Sequence, residues 1–297
     1  MSQIYRWWQF TKERFNLLLY SVMILPFFYS HVVFCNSEFS CNGAIEPKNV
    51  LSFIPLLAAT FLFFFKLRVF DEIKDFDHDS FFNSQRPLPR GLITADSALT
   101  MVLLLILLEI VILSFYGLWA LIAMVITVAY SFLMYKEFFC GNWLRSHITT
   151  YAVTHTLIII LFSTTIFLAF LDISPAFLPS NFIIFSIASW FIFNIFELGR
   201  KTFANNEEVA GVNSYSKRFG TTGAVLLVIL MALAGVFLYV SIIDVVALFV
   251  ILLLLLVSTG VLFIVLDNQN LAKFYRKFTS LYVIFSYAII IVSILYF

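Results

Sequence analysis

Nine windows of the chain are almost entirely apolar, each close to the length of about 20 residues that a helix needs to cross the hydrocarbon core of a bilayer. They run roughly over 16–34, 49–67, 97–115, 118–135, 149–171, 180–196, 221–243, 245–266 and 278–297. Inside a bilayer each backbone donor and acceptor has to find its partner within the segment, and for single segments of this length only the α-helix achieves that. The pattern therefore predicts an all-α polytopic membrane protein, a bundle of nine transmembrane helices making one domain over residues 1–297. Composition agrees: 62% of residues are hydrophobic and 12% charged, against about 25% charged in an ordinary soluble domain. So much apolar surface could not be hidden from water in a soluble globule. A net charge of +1 also argues against broad nucleic-acid binding, which needs a concentrated basic surface. Three connections are short enough to be tight turns, marked by Gly117, by Asp244 and by the Pro175/Pro179 pair. No cleavable signal pattern is expected at the N-terminus. Trp7 and Trp8, followed by Lys12, Glu13 and Arg14, read instead as an amphipathic interfacial lead-in.

The basic residues set the orientation. With the N-terminus in the cytoplasm and the spans alternating, 17 of the 18 Lys and Arg residues fall on the cytoplasmic side, and Lys48 alone falls outside. Lys and Arg near the ends of spans fix topology in this sense, so the C-terminus is expected outside, in an inner or plasma membrane. Cys35 and Cys41 share the outward loop, and a disulfide between them is open but not fixed by spacing. Cys140 reads as a plain thiol.

The remaining polarity is concentrated in two long loops on that same cytoplasmic side. The first comes after the second span. Asp71, Asp75 and Asp79 stand at i, i+4, i+8, and Glu72, Asp75 and Asp79 at i, i+3, i+7. On a helix these positions share one face, with Arg68 a turn before. Like charges at that spacing repel, and a divalent cation is the natural offset. Mg2+ prefers hard oxygen ligands and is commonly held by one or two carboxylates together with substrate phosphates. Next come Arg86-Pro87-Leu88-Pro89-Arg90-Gly91, two guanidinium groups on an extended turn, suited to phosphate oxygens. The second loop is a weaker copy, with Asn194, Glu197 and Lys201 on one helical face, then Tyr215, Lys217, Arg218 and Gly220. A charged loop between spans is ordinarily just solvated and topogenic. Acids contribute little to topology, however, so orientation leaves the acidic stripe unexplained.

These residues resemble the UbiA superfamily of intramembrane prenyltransferases, whose first motif runs N-D-x-x-D-x-x-x-D followed by R-P-L-x-x-G. Here Asp71-Glu72-x-x-Asp75-x-x-x-Asp79 precedes Arg86-Pro87-Leu88-Pro89-Arg90-Gly91. Tyr130-Ser131 ahead of Lys136 is similar to the family's Tyr-Ser and Lys between spans four and five, and Ser214-Tyr215 with Gly220 also looks familial. The second acidic motif departs most, with Asn194 and Glu197 where the family usually carries two or three aspartates. The resemblance implies an enzyme that ionises an isoprenyl diphosphate held at the cytoplasmic mouth of the bundle and transfers the prenyl group to an aromatic or lipid acceptor. It implies Mg2+ on Asp71, Glu72, Asp75 and Asp79, with Asn194 and Glu197 toward a second ion, and diphosphate contacts from Arg68, Arg86, Arg90, Lys136, Lys201, Lys217 and Arg218. Catalysis would centre on Asp71, Asp75 and Glu197. The chain's 19% aromatic residues could shelter an allylic cation, since aromatic faces attract cations by about 0.5–2 kcal/mol each.

Two other readings stand beside transfer. The cation can attack its own chain, as in the family's membrane-bound terpene cyclases. Glu109 and His155, ionisable residues well inside spans, would be needed by a transporter; each reads first as a satisfied helix-contact residue, with acceptor binding the alternative for His155.

Overall fold

The computed structural model of the protein describes residues 2–40, 53–208 and 213–296. Cys41, and with it the Cys35–Cys41 pairing, and Lys48 lie in residues 41–52, outside the described residues. Among the described residues there are nine helical spans long and apolar enough to cross a membrane, at the nine expected places. The helices are α1 (Gln3–Arg14), α2 (Leu17–Ser40), α3 (Phe53–Lys74), α4 (Phe76–Phe82), α5 (Ala95–Ser114), α6 (Leu118–Tyr135), α7 (Gly141–Ser146), α8 (Ile148–Thr156), α9 (Ile158–Leu171), α10 (Ser180–Gly199), α11 (Tyr215–Val240), α12 (Val246–Leu266) and α13 (Gln269–Tyr296).

α10 is the hub of the bundle and packs against α8, α9, α11 and α13. α3 lies against α5, α2 against α13 and α9, α6 against α9, and α12 closes on α11 and α13. Without a hydrophobic driving force between helices in lipid, close association needs small residues and interhelical hydrogen bonds, and both are found along α10. Ala188 is fully buried, and Gly199 lies so close to Thr279 of α13 that a methyl group there would collide with the threonine side chain. Ser186 bonds Ser163 of α9 at 2.9 Å, Ser163 meets His31 of α2 at 2.6 Å, and Ser189 meets Tyr239 of α11 at 2.7 Å.

Three spans depart from a straight, continuous helix. The second does run on past its apolar window: Asp75 bonds back to Asp71 and Asp79 back to Asp75, at 2.9 and 2.8 Å, so helical spacing is kept through a bend at Asp75 into α4. The fifth span is divided at Leu157 into α8 and α9. Thr154 and Thr156 donate back to the carbonyls of Thr150 and Ala152, a habit that bends helices, and the indole of Trp190 in α10 donates to Thr156 at 2.9 Å. The seventh span begins six residues before its apolar window, with Tyr215, and breaks at Gly220, whose φ of 72° is open to glycine without strain.

Lys66, one of the 17 residues counted on the cytoplasmic side, lies within the second span instead, fully buried in α3, and forms an ion pair with the equally buried Glu109 of α5. The charge sorting survives its removal, because Arg68, Lys74, Arg86 and Arg90 remain beyond it. The pair also accounts for Glu109. An unpaired charge in the bilayer interior is expensive, and here the two cancel across the α3–α5 interface.

Candidate functional site

The ends of α3, α8, α10 and the start of α11 converge at one mouth of the bundle. Lys74, the last residue of α3, donates to the hydroxyl of Tyr151 in α8 at 2.9 Å and stands 3.4 Å from the carboxylate of Asp71. Asp71 is also 3.6 Å from Arg68 and lies in the field of Arg200, just beyond α10. Arg200 and Lys201 both hold Glu197, at 2.7 and 2.9 Å. The phenol of Tyr215 feels Glu197, Arg200 and Tyr151, and its buried hydroxyl has no partner among the described residues. Backbone bonds fix the closing strand of chain: Tyr215 N–H donates to Lys201 O at 3.0 Å, and Phe203 N–H to Ser216 Oγ at 2.8 Å. Glu208 accepts from the hydroxyls of both Ser214 and Ser216.

A strained turn walls one side. Glu137, Phe138 and Phe139 all have left-handed backbones, with φ of 47°, 52° and 57°. Each non-glycine residue there costs about 1–2 kcal/mol, and such strain persists only where surroundings impose it. Here Arg145 Nε donates to both carboxylate oxygens of Glu137 at 2.9 Å. The result aims Phe138 edge-on at Tyr130 (5.5 Å) and at His155 (5.8 Å), while His155 stacks on Tyr151 at 3.9 Å.

The sequence-derived residues divide by what they touch. Asp71, Asp75, Glu197, Lys201 and Arg68 belong to the convergence. Asp75 lies between Asp71 and Asp79 in the combined field of Lys74 and Arg86, hydrogen-bonded by neither. Burial, aided by the two neighbouring carboxylates, pushes its acid group above the usual range. Glu72 turns the other way and is buried against Arg14 of α1. Asp79 is tied to Arg86 and accepts from Asn83 at 3.0 Å. Arg90 pairs with Glu13 of α1 at 2.7 Å, beside a separate polar pocket of about 420 Å3 lined by Glu13, Arg14 and residues 82–87. Asn194 is buried deeper in α10, its side-chain oxygen accepting from Thr156 at 2.9 Å. Lys136 is exposed over the ring of Tyr135, and Lys217 and Arg218 in the first turn of α11 are exposed. Sequence reasoning did not assign Lys74, Tyr151 or Arg200 to the site. Tyr151 and His155 were visible as an i, i+4 pair, and Arg200 as i+3 from Glu197, but only the fold brings them to Asp71.

No group of three His, Cys, Asp or Glu side chains among the described residues is gathered as a ready metal cage. Two carboxylates a turn apart, Asp71 loosely paired and Asp75 unbonded, with Glu72, Asp79 and Glu197 committed to arginine and lysine, suit a different kind of site. Mg2+ keeps several waters and is usually held by one or two carboxylates plus the phosphates it accompanies. The donor set fits that mode through Asp71 and Asp75, and the raised acid group of Asp75 is one that a cation would draw back down.

The UbiA prenyltransferase family model matches residues 41–290. A digeranylgeranylglyceryl phosphate synthase structure superposes with a TM-score of 0.57 at 17% identity, covering 95% of this chain and 99% of that one. The apo structure of a UbiA homologue from Aeropyrum pernix K1 does so with a TM-score of 0.57 at 15% identity, over 91% and 97%. At these identities the likeness shows the fold. A search of curated proteins finds no match.

Proposed function

The chain belongs to the UbiA prenyltransferase family, and from that premise we propose that it ionises an isoprenyl diphosphate at the convergence of α3, α8, α10 and α11 and transfers the prenyl group to an acceptor from the membrane phase, aromatic or lipid. The observation that carries this reading is the bond between Lys74 and Tyr151 beside Asp71 and Arg200. It ties the acidic end of α3 to α8, and the field of Arg200 at Asp71 brings the cationic end of α10 to the same place. The prenyl tail would extend into the bundle and the bilayer. The charge sorting favours a cytoplasmic N-terminus and a cytoplasmic mouth, in an inner or plasma membrane.

In this reading Lys74, Arg200 and Lys201 take up the charge that develops on the departing diphosphate. Preorganised cations do this strongly where water is scarce, and one well-placed donor is worth about 2.7–4 kcal/mol. Glu197 aims two of those cations. The hydroxyl of Tyr151 accepts from Lys74 and so keeps its own proton to donate, and the unpartnered hydroxyl of Tyr215 is a second donor. Asp71 and Asp75 would hold Mg2+, which when bound supplies Lewis-acid neutralisation of the phosphate oxygens. Phe138 and the Tyr151–His155 stack form the aromatic wall beside the allylic carbon.

The test is diphosphate release from geranyl, farnesyl and geranylgeranyl diphosphates by the protein reconstituted in nanodiscs. Release that depends on Mg2+ and falls at least 100-fold in Asp75→Asn is expected; release indifferent to both removes the reading. A cyclic hydrocarbon formed without acceptor would replace transfer by cyclisation at the same site.

A further inference from the structure

Resting on the reading above, we propose that His155 is the base that takes the proton released when the prenyl cation is captured. The reaction leaves a proton to be placed. When the allylic C–O bond breaks, diphosphate departs with the electron pair; the acceptor's electrons form the new bond to carbon, and the proton the acceptor carried must go to a lone pair. His155 offers one. Its Nδ1 is 2.8 Å from the carbonyl oxygen of Tyr151. A carbonyl can only accept, so that bond places the ring proton on Nδ1 and leaves Nε2 as a lone pair. Nε2 is buried and has no hydrogen-bond partner among the described residues. Buried polar atoms are nearly all bonded, and an exception calls for an explanation such as catalysis or a missing ligand.

Position supports the assignment. His155 is one turn along α8 from Tyr151, which puts it about 6 Å farther along the helix axis than the residue that meets Lys74. The stack on Tyr151, 3.9 Å between centroids and 11° from parallel, and the edge of Phe138 hold the ring in place. The neighbouring phenols are taken: Tyr151 accepts from Lys74, and Tyr130 donates to Thr154 O at 2.6 Å. After proton transfer the imidazolium keeps its Nδ1 bond, and the proton leaves with the diphosphate or through the mouth to water.

Such a base calls for an acceptor with a proton to lose on capture: a hydroxyl group, or an aromatic ring that must shed a proton to regain aromaticity. The test uses tritiated geranyl, farnesyl and geranylgeranyl diphosphates, Mg2+, and a lipid extract of the host membrane as the acceptor pool. It measures total diphosphate release and the share of label in prenylated or cyclised product against plain prenyl alcohol. His155→Gln keeps a hydrogen-bond acceptor but cannot take the proton. Its product-to-alcohol ratio is expected to fall at least tenfold, a larger loss than that in total diphosphate release, which the altered aromatic wall also lowers. His155→Gly should behave likewise, and added imidazole should restore its ratio. An unchanged ratio in His155→Gln would reduce the residue to positioning and overturn the proposal. So would release and product falling together with no recovery in imidazole. Absence of release from all three diphosphates by the unaltered protein would instead remove the prenyl-transfer reading, and this role with it.

Discussion

Lys74→Met tests the site most directly, because Lys74 contacts both Asp71 of its own helix and Tyr151 of α8. Its side chain is 10% exposed, against 47% for Arg200, so its charge acts in a drier place and water screens it less. A single preorganised donor to a departing anion in such a place is worth about 100- to 1000-fold in kcat. Lys74→Met should therefore lower kcat for diphosphate release by that factor, while Arg200→Gln, closer to water, should cost about tenfold. Stability should barely move. Asp71 is 46% exposed and keeps Arg68 at 3.6 Å, so the loss of its second partner is worth under about 1 kcal/mol. The assay is enzyme-coupled pyrophosphate detection in nanodiscs with Mg2+ in excess, kcat and KM taken separately, with thermal unfolding as the control for folding. Tyr151→Phe supplies a second arm. If the phenol works through the lysine it bonds, the double variant will be no worse than Lys74→Met alone, a departure from additivity that residues acting as a unit show. A Lys74→Met enzyme within threefold of the unaltered one, or an Arg200→Gln enzyme tenfold worse than the Lys74→Met enzyme, would refute this ordering of the charges.

Other expectations concern the frame. Lys66→Met strands Glu109 as a buried charge and should lower stability by about 3–5 kcal/mol, while Lys66→Met combined with Glu109→Leu should recover most of it, read by thermal unfolding in detergent. Gly220 has open space around it but a left-handed φ, so Gly220→Ala should cost about 1–2 kcal/mol from backbone strain alone; an unchanged melting temperature would contradict the break in α11. Glu207 accepts two bonds from Arg276, at 2.8 and 3.0 Å, which hold its carboxyl below the ordinary 4.5. A depressed acid stabilises the fold above its unfolded-state value and loses that contribution as pH falls through the folded one. Glu207→Gln should therefore melt lower than the unaltered protein at pH 7, with the gap closing below pH 4.5; a gap that widened in acid would show that the pair is not what matters.

The nine spans were legible because the bilayer imposes a length and a composition that nothing else in a sequence imitates. The window edges were less so, and for a common reason. An apolar window ends where charge begins, but a helix ends where its backbone bonds stop. α3 runs on through Arg68, Asp71 and Lys74 because its ladder continues, and α11 starts early because Ser214 caps Tyr215–Val240 by accepting from Lys217 N–H. Lys66 shows the converse: a single charge reads as a loop when its partner is 43 residues away in α5, and only the pairing reveals that it lies inside the span.

The site was half legible, and the division tracks chemistry rather than chance. Acids repeating every four residues stand out because they repel one another, so Asp71, Asp75 and Asp79 could be read as one face. What each carboxylate turns toward depends on its neighbours in space. Glu72 goes to Arg14 and Asp79 to Arg86, so a stripe of four acids on paper becomes two available ones, Asp71 and Asp75. The same selection works in reverse for the cations. Lys136, Lys217 and Arg218 were grouped with the diphosphate by charge and proximity in sequence, and none of them forms an ion pair with the site's acids among the described residues, whereas Lys74 and Arg200, adjacent to the acids and counted only toward topology, face them. A charge near a span end is cheap to leave in water. It becomes informative when a neighbouring helix supplies a neutral partner that holds it in place, as Tyr151 does for Lys74, and aromatic residues are too common in this chain for such a partner to be picked out before the helices are assembled.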